Sequence, residues 1–360
     1  MAGSDNAADF IAKTIRAVTS NLQRGLVDAV LNIAGTGSQG QTPSGDTSGL
    51  SMPLSQSASR RMTGVQTVAS GARPQPIAQD ALVAQWAAYH AEAVASGTER
   101  ARIVAALWKS EGLATTVAKH TLPENSLTDP RILPQVRPVA HVGFGSGSAE
   151  FLAFDAVKLA ARFRNDCAEG YREFAYEGIG AMLRAYERGL FRLMTHTVGL
   201  IPFDAPEGPD PAGFFAAYLD QFPPHIQRLI AHGYGRIVAF SHMDVYRAIQ
   251  EATTLPKHRV EPVVQGIAFA FAMINNADLP LYLRRSEIPF TPGVRTAFQD
   301  GLTYSLVFLE WFVPGLLAAW QPYGAVETRL VERARGDSAL AIDRGFPLAF
   351  RLADSDTVEG

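Results

Sequence analysis

Apolar residues recur at steps of three and four from the start of the chain: Ile11, Ile15, Val18, Leu22, Leu26, Val30 and Ile33 form one stripe within residues 1–34. With charge on the opposite face, that spacing predicts an amphipathic helix over residues 8–34. Across residues 35–78 the pattern gives way to Gly, Ser, Thr, Gln and Pro. Such a composition buries too little apolar surface to offset the entropy of ordering, which predicts a disordered tether. Periodicity returns in "ALVAQWAAYHAEAV" and "RARIVAALWKSEGLATTVAKH", two helices expected to run antiparallel about Gly97 and Thr98. Prolines and glycines then crowd "TLPENSLTDPRILPQVRPVAHVGFGSGS", which predicts an irregular connection that completes a unit of residues 79–147. Ser148 followed by Glu150 reads as the next helix entry.

Residues 148–320 are compatible with helix almost throughout, and strand alternation is scarce. The expected fold is all-α: a helical-repeat-like bundle of helix pairs, behind the disordered N-terminal tether. Within it, a polar residue followed by glycine heads an apolar run four times, at Glu177-Gly178, His232-Gly233, Gln265-Gly266 and Asp300-Gly301, with separations of 55, 33 and 35 residues. The last two match the period of a helix-turn-helix repeat. Glycine inside a helix costs about 1 kcal/mol relative to alanine. Its recurrence therefore implies close helix contact or the approach of a ligand to the backbone. The apolar run Gly301–Trp320 is long enough to raise a transmembrane question. Glu310 within it, Pro314 and the sparse basic flanks instead predict a buried core helix. Beyond Gln321 the chain is charged, so residues 321–360 are expected to be a mobile C-terminal tail.

An apolar content of 47% with 19% charged residues supports a sizeable core in a chain of 360 residues. The formal charge of -3 and the lack of a basic stripe argue against nucleic-acid binding. With one cysteine, Cys167, the chain has neither an internal disulfide nor a CxxC metal site. No continuous apolar signal opens it, because Lys13, Arg16 and Arg24 interrupt, and a cytoplasmic location is expected. The N-terminal stripe carries too few basic residues to favour a membrane surface; it is expected to pack back on the body of the protein, with binding of a partner protein as the alternative.

Glu169, Glu173 and Glu177 are spaced for one helical stripe, but no Glu-x-x-His pair accompanies them, so no metal and no cofactor are expected. Glu177 differs from the other two in its apolar surroundings, since Phe174, Tyr176, Ile179 and Met182 flank it. A buried carboxylate needs a partner or a raised pKa. His232 sits in a polar-glycine step with Tyr234 and Arg236 close by, while His225 and His242 lie within reach of the same element. "HVGFGSGS" matches neither the dinucleotide, nor the Walker, nor the nucleophile-elbow spacing, and reads as a flexible connection.

The runs "FRNDCAEGYREFAYEGIGAML", "LIAHGYGRIVAFS", "VVQGIAFAFAMINNADLPLYL" and "TAFQDGLTYSLVFLEW" together resemble a bacterial family of unknown function encoded beside enediyne polyketide synthases. The resemblance covers about residues 144–311, and Phe174 to Gly178 is its most specific piece. It implies a setting in polyketide or related specialised metabolism rather than a mechanism. Two functions are expected on these grounds. In the first, an accessory or tailoring protein encloses an apolar intermediate between helices. Its catalytic candidates are Glu177, His232 and Asp300, and its ligand-binding candidates are Tyr176, Tyr234, Gln265, Phe269 and Tyr304, with Phe271 and Phe308 as further lining. In the second, the chain is a non-catalytic helical scaffold or adaptor whose polar-glycine steps are structural.

Overall fold

The structure, a computed structural model, describes residues 78–118, 126–187, 211–242, 244–274, 290–322 and 324–344. The expected N-terminal amphipathic helix and the tether lie outside these residues, apart from Ala78. In chain order the helices are α1 (Gln79–Ala95), α2 (Arg100–Ala118), α3 (Arg137–Phe151), α4 (Ala156–Asp166), α5 (Arg172–Glu187) and α6 (Pro211–Leu219). They continue with α7 (Pro224–His242), α8 (Val245–Ala252), α9 (Lys257–Ile274), α10 (Pro292–Phe312), α11 (Leu316–Ala319) and α12 (Gly324–Arg344). Among the described residues there is no strand, as the scarcity of alternation implies.

The α1–α2 hairpin forms where the periodicity puts it, around Gly97, whose φ of 59° suits glycine. Trp86 Nε1 donates to the Ser110 carbonyl at 3.2 Å, and Lys109 pairs with Glu92 at 2.9 Å. Partners thus advance in opposite directions along the two helices, which run antiparallel. Asp155 and Asp244 accept hydrogen bonds from main-chain N–H groups at the starts of α4 and α8, satisfying donors that a helix leaves open there.

The long helices pack in a row: α2 on α3, α3 on α5, α5 on α7, α7 on α9, α9 on α10, and α10 on α12. Helices α4, α6 and α8 are short links between consecutive members. Glycine is what lets the row close. A Cβ added at Gly178 would run into the Val142 carbonyl of α3, at Gly233 into that of Glu177, at Gly266 into that of His232, and at Gly301 into that of Gln265. Each step therefore seats its glycine on the preceding helix, while in three of the four the carbonyl of the polar residue receives the glycine of the next. Removing the side chain permits backbone contact, and this outweighs the poor helix propensity of glycine.

Three expectations need correction. The "HVGFGSGS" run is no flexible connection but the buried middle of α3, so the helix entry expected at Ser148 falls eleven residues after the observed start at Arg137. Gly143 meets the Glu111 carbonyl and Gly147 that of Thr115, while Gly145 meets Ala175 of α5. Contact advances four residues on both α2 and α3 in the same direction, so that pair runs parallel. Packing of this kind depends on distant residues and leaves no mark on local composition. The second correction concerns residues 321–360: 324–344 form α12, whose Leu330, Val331 and Ala334 are buried. The third concerns Gly301–Trp320, which is two helices. α10 ends at Phe312, and Gly315, with φ of 91°, turns the chain into α11. The buried face of α10 agrees with a core helix, and no described helix is long and apolar enough to cross a membrane.

Candidate functional site

Two of the four polar residues meet. Glu177 on α5 is 1% exposed, and its Oε1 lies 3.2 Å from His232 Nδ1 and accepts from Arg236 Nη1 at 3.1 Å. His232 and Arg236 are one helical turn apart on α7, so a single face of that helix presents both to the carboxylate. The second guanidinium nitrogen of Arg236 donates to Glu111 Oε2 of α2 at 2.9 Å. One arginine thus bridges two carboxylates, from α5 and α2. Burial raises the Glu177 pKa, but the charges and hydrogen bonds of His232 and Arg236 outweigh it and hold the carboxyl below its ordinary 4.5. Burial weakens the Arg236 cation, and Glu111 and Glu177 more than reverse this, so its pKa is raised.

Aromatic rings enclose this network. His232 makes edge contacts with Phe269 of α9 and Tyr304 of α10, at centroid distances of 5.6 and 5.4 Å. The Arg236 guanidinium lies over Phe269, 5.2 Å from its centroid. Phe308 packs edge-on against both Phe269 and Phe174, which extends the wall back to α5. The Tyr304 ring is partly exposed while its hydroxyl is buried; burial and the nearby Glu177 charge push its pKa far up, so the phenol stays neutral.

The remaining candidates lie elsewhere. Tyr176, one residue from Glu177 and so turned to another face, packs against Phe163 and Phe222. Tyr234 stacks on Phe215 and accepts from Arg184, whose guanidinium also pairs with Glu251; His242 holds the other oxygen of Glu251 at 2.6 Å. Gln265 is half-buried beside Glu261, and Asp300 pairs with Arg333 of α12 at 2.7 Å. His225 is exposed at the start of α7. Phe271 is buried in the core. Glu169 lies in a 3-10 turn before α5, which breaks the three-glutamate stripe, and no group of described His, Cys, Asp or Glu residues has metal-holding geometry.

Glu111 is the member of the site that sequence reasoning missed. It lies on a helix assigned to a different unit, with no motif around it. Arg236 is legible as a neighbour of His232, but its role as the bridge is not. Comparison of the chain with family profiles, curated proteins and solved structures gives no match in any of the three.

Proposed function

We propose that the chain is an accessory or tailoring protein of specialised metabolism that holds an apolar, polyketide-like compound where α5, α7, α9 and α10 converge. Glu177, His232 and Arg236 are the polar groups that meet it, and Phe269, Tyr304 and Phe308 supply the apolar wall. The observation that supports this reading is the buried Glu177 carboxylate, held ionised against an aromatic surface. Keeping a charge there is costly, and apolar side chains of similar volume would pack the same space at no electrostatic penalty. The metabolic setting comes from the family resemblance, and Asp300, paired to Arg333, has no part in the proposed site.

A second reading, the helical scaffold or adaptor, is favoured by a different observation: all four step glycines rest on neighbouring main-chain carbonyls. In that reading Glu177 and Arg236 only fix which helices meet. Replacing Glu177 by Gln and measuring both melting temperature and product formation in cells that carry the pathway separates the two. A ligand-holding protein loses output out of proportion to any loss of folded protein. Output that simply follows the amount of folded protein supports the scaffold instead.

A further inference from the structure

Within the Glu177 carboxylate the two oxygens are treated unequally. Oε1 serves both His232 and Arg236, whereas Oε2 is buried and, among the described residues, receives no hydrogen bond. An ionised carboxylate only accepts, and it has room for about four hydrogen bonds. Leaving one of its oxygens buried without a donor costs about 1–3 kcal/mol, more for a charged group, and native proteins keep few such groups without a reason.

The surroundings of the carboxylate point the same way. Glu177 and Glu111 share the single guanidinium of Arg236, and that sharing engages Oε1 of Glu177 while leaving its Oε2 aside. The rings collected around it, Phe174, Phe269, Tyr304 and Phe308, are apolar surface against which a hydrocarbon can lie. At its edge the cluster reaches solvent through Glu111, whose side chain is 18% exposed, and Tyr304 is only partly buried.

We infer that Glu177 Oε2 is the acceptor for one O–H or N–H donor carried by an otherwise apolar ligand. The inference rests on the ligand-holding reading above and names its chemistry: the compound is anchored through a hydroxyl or a protonated amine, and its hydrocarbon portion lies against the rings. Arg236 and His232 fix the carboxylate through Oε1, so that Oε2 is presented in one orientation. A carbonyl- or carboxylate-bearing compound of the same size is rejected, because it would bring a second acceptor to an acceptor.

Octane, 1-octanol and octylammonium, three probes of matched chain length, test this on the full chain by equilibrium dialysis at neutral pH. A hydrogen bond to a charged group predicts that octanol and octylammonium bind roughly tenfold more tightly than octane. The preference should largely vanish in Glu177→Gln, and a larger gain for octylammonium than for octanol identifies the amine as the preferred donor. If octane binds as well as octanol, or the preference survives in Glu177→Gln, the anchoring role is wrong while the ligand-holding reading stands. If no probe binds, both fall. Should Glu177→Gln fail to fold, the wild-type comparison of the three probes still decides.

Discussion

The α-carbon of Gly233 rests directly on the main-chain oxygen of Glu177, the residue whose side chain reaches back to His232 beside that glycine. Helix contact and ion pairing at the α5–α7 crossing are therefore two faces of one arrangement. Only a residue without a side chain brings the backbones close enough for the carboxylate to be shared by His232 and Arg236.

Gly233→Ala should destabilise the protein by more than about 3 kcal/mol, since the added methyl meets backbone rather than a side chain that can rotate away. Gly336→Ala in α12, where nothing lies within 4 Å, should stabilise by about 0.5–1 kcal/mol through helix propensity alone. Urea unfolding of the two variants reads the contrast directly. Equal effects would show that the close contacts do not govern stability.

Arg236→Met should cost about 3–5 kcal/mol, because it strands Glu177 in the core. Pairing it with Glu177→Gln should recover part of that loss, with a coupling of at least about 1 kcal/mol in a double-mutant cycle. Additive effects would mean that the buried pair has no energetic coupling. Because the Glu177 pKa is lowered on folding, its contribution is complete above about pH 4.5 and is lost as pH falls through the folded value.

His141 gives a separate acid response. Its Nδ1 faces the Arg137 carbonyl at 2.6 Å and its Nε2 accepts from the Ala168 N–H at 3.1 Å, which fixes a neutral tautomer. Burial pushes its pKa down from 6.5 to about 3. The unfolded chain therefore takes up the proton first, and stability should decline from pH 6.5 toward 3, at up to about 1.4 kcal/mol per pH unit. Between pH 6.5 and 4.5, above the ordinary carboxylate range, His141→Gln should flatten the slope of unfolding free energy against pH. An unchanged slope would assign the acid response to other groups.

Glu310 accepts from the N–H groups of Gly315 and Leu317, at 2.8 and 2.6 Å, and so anchors the start of α11. Glu310→Ala should lower stability by about 1–2 kcal/mol and speed amide exchange at Leu317 ahead of the rest of the chain. Unaltered exchange there would remove the anchoring role.

Local patterning was enough to place the α1–α2 hairpin and to mark residues 148–320 as helical, because a 3.6-residue apolar period survives whatever the tertiary contacts are. It failed for Gly143 to Gly147, where the property that makes the run helical is the nearness of Glu111, Thr115 and Ala175, all distant in sequence. The polar-glycine step marked every crossing from α5 to α10 but did not say where the polar side chain would go. Gly178 and Gly266 both face the preceding helix, yet Glu177 meets an α7 face that offers His232 and Arg236, while Gln265 lies half-buried beside Glu261 of its own helix. The partners that distinguish these outcomes are set by the neighbouring helix, not by the step itself. Glu111 could not be found this way, since its link to the site runs through Arg236, a residue 125 positions away.

Gly178 and Gly180 are two residues apart, about 200° around the helix, and they touch α3 and α7 respectively. Gly233 and Gly235 do the same for α7 between α5 and α9. Sliding either helix by one residue lifts both of its glycines from their seats at once and drives Ile179 or Tyr234 toward space meant for a hydrogen atom. The position of each helix against one neighbour is thereby locked to its position against the other. A push on α2 cannot be absorbed at the first interface and must travel along the row as through a rigid bar. Insertions belong in the short links between these helices, while a single extra residue inside α5 would unseat it on both sides.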